Sequence, residues 1–331
     1  MEQEEQKPFK ILSIDGGGIK GIYSSTILEK FEEKFSCCIS DHFDMLCGTS
    51  TGGLIALALS LKVPAKVISD LYLEKGGFIF NSNILSTLKQ ILWGGKYSNE
   101  NLKICLKEIF GDKKIEESGN LLCIPAFNYT DSNTCVFKFD HKHGNLSRDN
   151  KLKYIDVALA TSAAPTYFPL CHINDLCKQY IDGGLWANNP ALVGVIEALC
   201  HFVGHTKAYD SIQILSISSL DPYNGNPIHS NLNRSLMRWG ANIKDPFFDG
   251  QSHFANNTLR LLQDHSDINI NYVRIPSTSL SAKQKKQVGM DKVTKKCLEF
   301  MKGQGESQAS LWYRKTEIEN FFKKTKTYNT K

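Results

Sequence analysis

The sequence predicts an α/β fold of three layers, with helices on both faces of a central, mostly parallel sheet. Three observations support this prediction. Short apolar, strand-like segments alternate with helical segments along the chain. Glycines follow directly after two early strand-like segments, residues 9–14 and 43–47. The 331 residues, of which 41% are hydrophobic and 22% charged, are also enough for one large core.

The first element is a strand over residues 9–14, followed by the glycine-rich run Asp-Gly-Gly-Gly-Ile-Lys-Gly at residues 15–21. Gly16, Gly17 and Gly18 place several backbone amides at the carboxyl end of this strand. Such amides can hold a developing negative charge, so we expect this run to form an oxyanion hole before a helix that begins near Ile22.

The second strand covers residues 43–47, and the pentapeptide Gly-Thr-Ser-Thr-Gly at residues 48–52 leads into an apolar helix over residues 52–59. A serine on a sharp turn between strand and helix is the arrangement called a nucleophile elbow. The order of these elements therefore predicts that Ser50 is a nucleophile. It also predicts close packing at the two flanking glycines.

The first glycine run has a second interpretation, because Gly16, Gly18 and Gly21 also give the spacing G-x-G-x-x-G of dinucleotide-binding loops. That function requires an acidic residue at the end of the second strand, about 20 positions further on. Asp41 and Asp44 lie before or at the start of that strand instead. We therefore rank a non-hydrolytic nucleotide-binding module below a hydrolase and retain it as the alternative.

No histidine of the nine is marked by its surroundings as the base that a serine nucleophile needs. His201 and His205 lie near the end of an expected helix, and we interpret them as partly exposed surface or metal-free packing residues. His141 and His143 lie in a polar loop, and we interpret them as solvated turn residues. The ten cysteines show no C-x-x-C spacing of the zinc-binding kind. We expect no metal and no cofactor.

A carboxylate is the stronger candidate base. Asp182 ends a short apolar run and precedes two glycines, which would bring its backbone close to another loop. An aspartate has a reference pKa near 3.9, so it can accept a proton from Ser50 only in a partly dehydrated site without a strong cationic partner. The alternative for this segment is an ordinary turn built on an aspartate.

These motifs together resemble the patatin-like phospholipases. The resemblance rests on residues 15–21, 48–53, 160–169 (Ala-Thr-Ser-Ala-Ala-Pro-Thr-Tyr-Phe-Pro) and 182–184 with 188–190, and it covers roughly the first 190 residues. It implies the patatin-like fold and a dyad with Ser50 as nucleophile and Asp182 as base. It also implies an oxyanion hole from Gly16, Gly17 and Gly18, and phospholipase A type cleavage of membrane phospholipids. A lipid acyltransferase would use the same dyad.

Lys20 occupies a family position that is basic, often arginine, and we expect it to bind substrate through the lipid phosphate. A solvated lysine at a helix start is the alternative. Asn188 and Asn189 precede a helix that starts with Pro190, and we interpret the asparagine pair as support for the Asp182 loop.

The predicted domain organisation has three parts: an acidic tail over residues 1–8, a catalytic core over 9–220, and residues 221–331 as the end of the same domain or an appended helical regulatory lobe with a basic tail. Further strands are predicted over residues 121–129, 135–139, 211–218 and 268–275. Helices are predicted over 152–163 and within 291–322.

Composition and charge limit the locations and binding partners expected of this chain. The chain shows no secretory signal and no apolar stretch long enough for a bilayer, so we expect a cytoplasmic protein that acts at the inner membrane surface. The net charge of +5 comes without an aromatic-basic repeat, which argues against nucleic-acid binding. The oligomeric state is not determined by the sequence.

Several segments are candidates for membrane contact. Apolar residues at 76–80 and 84–93, flanked by glycines, are candidates for a mobile membrane-facing surface, although a helix covering the core explains them equally well. Basic clusters at 283–286 and 323–326 favour an anionic surface or are simply solvated.

Regulation is expected of an intracellular phospholipase. Compact bacterial patatin-like proteins resemble this chain in size, and some are effectors switched on by cyclic nucleotides in anti-phage defence. The resemblance therefore implies a cyclic dinucleotide as a candidate activator. We place its site in residues 221–263, where Arg234, Arg238 and Trp239 offer phosphate contacts and a stacking surface.

Overall fold

The chain folds around one mixed sheet of eight strands, and a computed structural model describes residues 7–81, 95–141, 147–221 and 244–330. The strands run in the order β5-β6-β3-β2-β1-β7-β8, and β4 pairs separately with β3. Their bounds are β1 Pro8–Ile14, β2 Met45–Gly48, β3 Leu121–Asn128, β4 Asn133–Lys138, β5 Cys171–Ile173, β6 Lys178–Asp182, β7 Ser211–Ile217 and β8 Asn269–Ile275. The predicted α/β fold with a mostly parallel sheet is confirmed.

The centre of the sheet is parallel, and antiparallel strands extend one side of it. Strands β3, β2, β1, β7 and β8 are all parallel neighbours. Ala126 of β3 pairs with β4 on one edge and with Asp182 of β6 on the other. Cys123 pairs with β4 on the first edge and with Cys47 of β2 on the second. Strands β2 and β6 therefore lie end to end along the same edge of β3.

Helices cover both faces of this sheet. Helices α1, α2, α3 and α11 pack against one another, while α8 packs on β1, β2 and β7 and also contacts α9. The bounds are α1 Gly21–Phe35, α2 Thr51–Ser60, α3 Ala65–Ile79, α4 Glu100–Phe110, α5 Ser147–Asn150, α6 Tyr154–Ser162, α7 Gly184–Ala187, α8 Ala191–His201, α9 Lys244–His265, α10 Ala282–Lys285, α11 Lys295–Trp312 and α12 Thr316–Phe322.

The late part of the chain is built into this core. Strand β8 extends the sheet beside β7 in parallel register, and α11 lies along α1. After α12, the backbone crosses the amino ends of β1 and β2, where the buried carboxylate of Asp44 accepts the amides of Thr327 at 2.9 Å and Tyr328 at 2.7 Å. Lys326 of the basic cluster donates to the carbonyl oxygen of Gly119. The backbone of this segment and Lys326 are therefore docked on the protein, whereas Lys323 and Lys324 are exposed, so contact of these two side chains with solvent or an anionic surface stays a prediction.

The first candidate membrane-facing segment also differs from its prediction. Gly76 and Gly77 lie inside α3 and are not hinges between elements, because Gly76 packs against the Ile19 side chain. Phe78 is 42% exposed, whereas Phe80 is buried against Tyr97 and Phe168. Residues 84–93 lie outside the described residues. Among those described, no helix is both long and apolar enough to cross a membrane.

Candidate active site

The sharp turn between β2 and α2 holds Ser50 in an unusual backbone conformation. Ser50 has φ 53° and ψ −122°, a region that costs a non-glycine residue about 1–3 kcal/mol. Its amide donates to the hydroxyl of Thr161 at 3.0 Å, and that hydroxyl donates to the Pro125 carbonyl at 2.6 Å. The neighbouring segments thus hold the strained turn in place, with the Ser50 side chain above the carboxyl end of β2.

Glycine is required on both sides of this serine by close backbone packing. A Cβ atom on Gly48 would overlap the carbonyl oxygen of Gly52, and one on Gly52 would overlap the carbonyl oxygen of Ile14. No larger residue fits at either glycine unless the neighbouring backbone moves. Glycine is therefore needed at both positions of the pentapeptide because the turn, the start of α2 and the end of β1 lie in backbone contact.

Asp182, the last residue of β6, faces the Ser50 hydroxyl. Burial raises its pKa to about 6, although hydrogen bonds from Ser50 and from the Gly184 amide partly oppose this rise. The amide of Gly184 lies 2.6 Å from Oδ1 of the carboxylate. Among the residues that the structure describes, no cation forms an ion pair with Asp182. The structure therefore brings together the two side chains predicted as a dyad, in a dehydrated setting.

The glycine-rich loop after β1 lies against this pair, but its amides differ in availability. The Gly16 amide donates to the carbonyl oxygen of Asn188 at 3.0 Å, and the Ile19 amide donates to that of Met290 at 2.9 Å. The amides of Gly17 and Gly18 have no hydrogen-bond partner within the described part of the chain. Of the three predicted oxyanion donors, Gly16 thus has a different role here, since its amide joins the loop to the Asp182 segment.

Gly18 has the strictest backbone requirement in the loop. Its φ is +62°, which L side chains rarely adopt, and a Cβ atom would lie 2.5 Å from the Met290 carbonyl oxygen. The left-handed conformation turns the chain into α1 while it keeps the Gly18 amide within the site.

A buried ion pair anchors the loop from below. Asp15 receives both ends of the Arg274 guanidinium, at 2.6 Å from Nη2 and 3.2 Å from Nη1, and Nη1 also donates to Ser216 at 2.6 Å. Burial disfavours the charged form of Arg274, but the Asp15 carboxylate outweighs this effect and raises the pKa of Arg274. Sequence reasoning missed this residue, although a charged side chain near the end of a strand of alternating burial is a usable signal.

Lys20, the predicted substrate-binding residue, is neither solvated nor free. Its side chain is 8% exposed and forms an ion pair with Asp221. The alternative of a solvated lysine is therefore wrong. Phosphate binding by Lys20 stays a prediction, and it requires an exchange of the Asp221 carboxylate for a lipid phosphate.

Asn188 and Asn189 have the structural contacts expected of them. The Asn188 amide donates to Oε1 of Gln251 at 2.6 Å, and the other end of the Gln251 side chain donates to the Gly184 carbonyl oxygen. Asn189 accepts the Ala191 amide at 3.1 Å, just before α8, whose N-cap residue is Pro190. Gln251, on α9, was missed by sequence reasoning because nothing in a helical glutamine marks it as a contact of a distant loop.

An apolar cavity opens beside Ser50. About 60 Å³ of it is open to the centre of a water-sized sphere, so the cavity is narrow in this structure. Its lining is almost wholly aliphatic and aromatic and comes from α2, α3, α4 and the 162–168 segment. The residues that line it include Ser50, Gly18 and Met290 at the polar side, and Leu54, Leu71, Ile79, Phe80, Leu102, Leu106, Phe110, Tyr167 and Phe168 elsewhere.

The geometry argues against the nucleotide-binding alternative. Strand β2 ends in Gly48 and carries no acidic residue at its carboxyl end. Gly21, the third glycine of the spacing, packs against Thr51 and Tyr72, and the Met290 loop lies over Gly18. The start of α1 is therefore covered where a pyrophosphate would bind.

Comparison with known proteins agrees with the fold and the site motifs. Residues 12–195 match the family model described as patatin-like phospholipase. A cGAMP-activated phospholipase from Pseudomonas aeruginosa is 30% identical over 302 residues, which cover 91% of this chain and 88% of that protein. Proteins of the same description from Escherichia coli and Vibrio cholerae are 34% and 33% identical. The matched segments cover 57% of this chain in both cases, and 55% and 57% of those proteins.

Proposed function

The chain belongs to the patatin-like phospholipase family, and on this premise we propose that it is a serine lipid acyl hydrolase acting on membrane phospholipids. Ser50 is the nucleophile and Asp182 the base. The amides of Gly17 and Gly18 bind the oxyanion. Gly16, by contrast, holds the loop through Asn188.

One observation carries this proposal: a serine on a strained turn faces a buried carboxylate at the side of an apolar cavity. A carboxylate with a pKa of about 6 is a far better base near neutral pH than one near 3.8, and it is still mostly ionised there. The same burial that makes Asp182 costly to ionise thus suits it to accept the serine proton.

The proposed reaction proceeds through an acyl-enzyme. Oγ of Ser50 attacks the ester carbonyl carbon while its proton passes to Asp182, and the carbonyl oxygen becomes an oxyanion bound by the two glycine amides. The C–O bond to the leaving alcohol then breaks, and Asp182 returns the proton to that alcohol. Water, deprotonated by Asp182, attacks the acyl-enzyme, and the fatty acid leaves with Ser50 restored.

The apolar cavity accounts for a lipid as the substrate. Burial of each methylene group contributes about 0.8 kcal/mol, so a long acyl chain in this cavity gains most of its binding energy away from the reacting carbon. The proposal leaves the cleaved acyl position open. An acyltransferase would share every step except the last, in which another alcohol replaces water, and analysis of the products separates the two activities.

The direct test is release of fatty acid from mixed phospholipid vesicles, measured by mass spectrometry. Wild type should release fatty acid, and Ser50→Ala and Asp182→Asn should not. Ser162→Ala is a matched control, because Ser162 lines the same cavity but donates its hydroxyl to the Ala158 carbonyl oxygen. A fluorophosphonate probe should label wild type at Ser50 and should not label Ser50→Ala. Hydrolysis by Ser50→Ala at the wild-type rate would exclude the proposed nucleophile.

We further propose that a cyclic dinucleotide activates the enzyme at the inner membrane surface. Support comes from the Pseudomonas aeruginosa relative, which is named a cGAMP-activated phospholipase and aligns far beyond residue 195. The predicted contact residues Arg234, Arg238 and Trp239 lie outside the described residues. The vesicle assay repeated with a panel of cyclic dinucleotides tests this point, and hydrolysis that is equal with and without every nucleotide would contradict it.

A further inference from the structure

A second group of chemically active side chains lies outside the cavity of Ser50. It consists of His141, which follows β4, and Glu197 and His201, which lie four residues apart on one face of α8. One ligand atom from each falls within 4.8 Å of the other two. None of the three residues lines the apolar cavity, so the proposed lipid chemistry does not use them.

We propose that this group binds a divalent transition-metal ion of the zinc class. Two imidazoles and one carboxylate are a common protein ligand set for zinc, with a fourth position left for water. Metal–ligand bonds of about 2.0–2.1 Å place tetrahedral ligand atoms about 3.3 Å apart. Nε2 of His141 lies 3.3 Å from Oε1 of Glu197, and Nε2 of His201 lies 3.9 Å from the same oxygen. The ligand nitrogens of the two histidines lie within 4.8 Å of each other, so His201 must move closer to the other two ligands for tetrahedral coordination.

The carboxylate of Glu197 is oriented by a second contact. Its other oxygen, Oε2, accepts the ammonium group of Lys138 at 2.6 Å, which leaves Oε1 facing both histidines. A partner of this kind fixes the orientation of a ligand. The charges of Lys138 and Glu197 cancel, so the set has the same net charge as the three neutral histidines that bind zinc in carbonic anhydrase.

Burial suits a site that is held by the protein and reached from solvent. The His141 and Glu197 side chains are 2% and 8% exposed, whereas His201 is 32% exposed and forms the open side. A bound ion would connect the exit of β4 to the end of α8, two elements far apart in sequence. Sequence reasoning predicted no metal because it interpreted His141 as a solvated turn residue and His201 as a partly exposed surface or packing residue.

The test is zinc binding by the purified full chain after removal of metal with dipicolinate. Isothermal titration in a reducing buffer should show one more equivalent of zinc on wild type than on His201→Ala. His205→Ala is the matched control, because His205 is an exposed histidine outside the group and its loss should leave zinc binding unchanged. This comparison also removes any contribution of the ten cysteines, which all variants share.

Two further readouts distinguish a built site from chance binding. Cobalt(II) should give the visible absorption of a tetrahedral site on wild type, and His201→Ala should lose it. Zinc should raise the melting temperature of wild type and of His205→Ala, but not that of His201→Ala. Equal stoichiometry and equal affinity for zinc in wild type and His201→Ala would overturn the proposal, whatever the result of the lipid assay.

Discussion

Replacing Asp182 with asparagine should remove activity and, at alkaline pH, stabilise the fold. Burial raises the pKa of Asp182 from 3.8 to about 6. At about 1.36 kcal/mol per pKa unit, the ionised carboxylate then costs the folded state about 3 kcal/mol relative to the unfolded chain. The sign follows from the raised value: the neutral form favours folding below about pH 4, and this contribution is lost as pH rises through about 6.

The measurable quantity is how the effect of the substitution changes with pH. Asparagine does not titrate, so the free energy of unfolding of Asp182→Asn relative to wild type should increase by about 1.4 kcal/mol between pH 5 and pH 8. Guanidinium denaturation at both pH values measures it. Asp175→Asn, at an exposed aspartate, is the control and should show a much smaller change.

Hydrolytic activity should increase as Asp182 becomes ionised, whereas the stability of the fold decreases. Vesicle hydrolysis by wild type should fall about tenfold per pH unit below about pH 6, as the base becomes protonated. At pH 8, Asp182→Asn should be slower than wild type by about 10²–10⁴-fold, and this difference should narrow as pH falls below about 6. A relative stability that is independent of pH, or that increases toward acid, would refute the argument that Asp182 is buried, titrating and without a cationic partner.

Three other substitutions test separate parts of the site. Gly18→Ala places a methyl group against a neighbouring carbonyl at positive φ and should slow hydrolysis about 100-fold, whereas Gly111→Ala, at positive φ in open space, should not; equal rates would contradict it. Leu106→Trp should fill the cavity and reduce cleavage of long-chain esters more than of short-chain esters; parallel losses would count against acyl binding there. Arg274→Met leaves Asp15 buried and unpaired, so unfolding should cost about 3–5 kcal/mol less; unchanged denaturation would argue against the pair.

The sequence predicted those parts of the fold that depend on local patterns. The strands expected at residues 9–14 and 211–218 are observed as Pro8–Ile14 and Ser211–Ile217, and the helix expected at 152–163 as Tyr154–Ser162. In each case an apolar run of the right length ends at polar residues or at residues that break the regular structure, such as Gly16 and Pro165. The side chains expected to act together, Ser50 and Asp182, also lie together, although their roles in catalysis stay predictions.

What the sequence did not predict depends on contacts between distant segments. The alternation of residues 268–275 predicts a strand, but not that Arg274 reaches Asp15 across the intervening strand β7. The spacing of the first glycine run cannot show that the Gly16 amide is already bound to Asn188. In the same way, helical position alone does not connect Gln251 to the loop of Asp182. Such pairings arise only when tertiary packing brings the elements together.

The shared edge of β3 has a consequence for how the site tolerates change. Ser50 follows β2 and Asp182 ends β6, and both strands pair with the same edge of β3, β2 through residues 121–123 and β6 through residues 126–128. Their separation is set by three residue pairs on each of these two strands, whatever the length of the connections between them. Insertions in those connections should leave the pair intact, whereas a one-residue slip of β6 would turn Asp182 to the opposite face of the sheet. The length of the connections and the distance between the two side chains are therefore independent of each other.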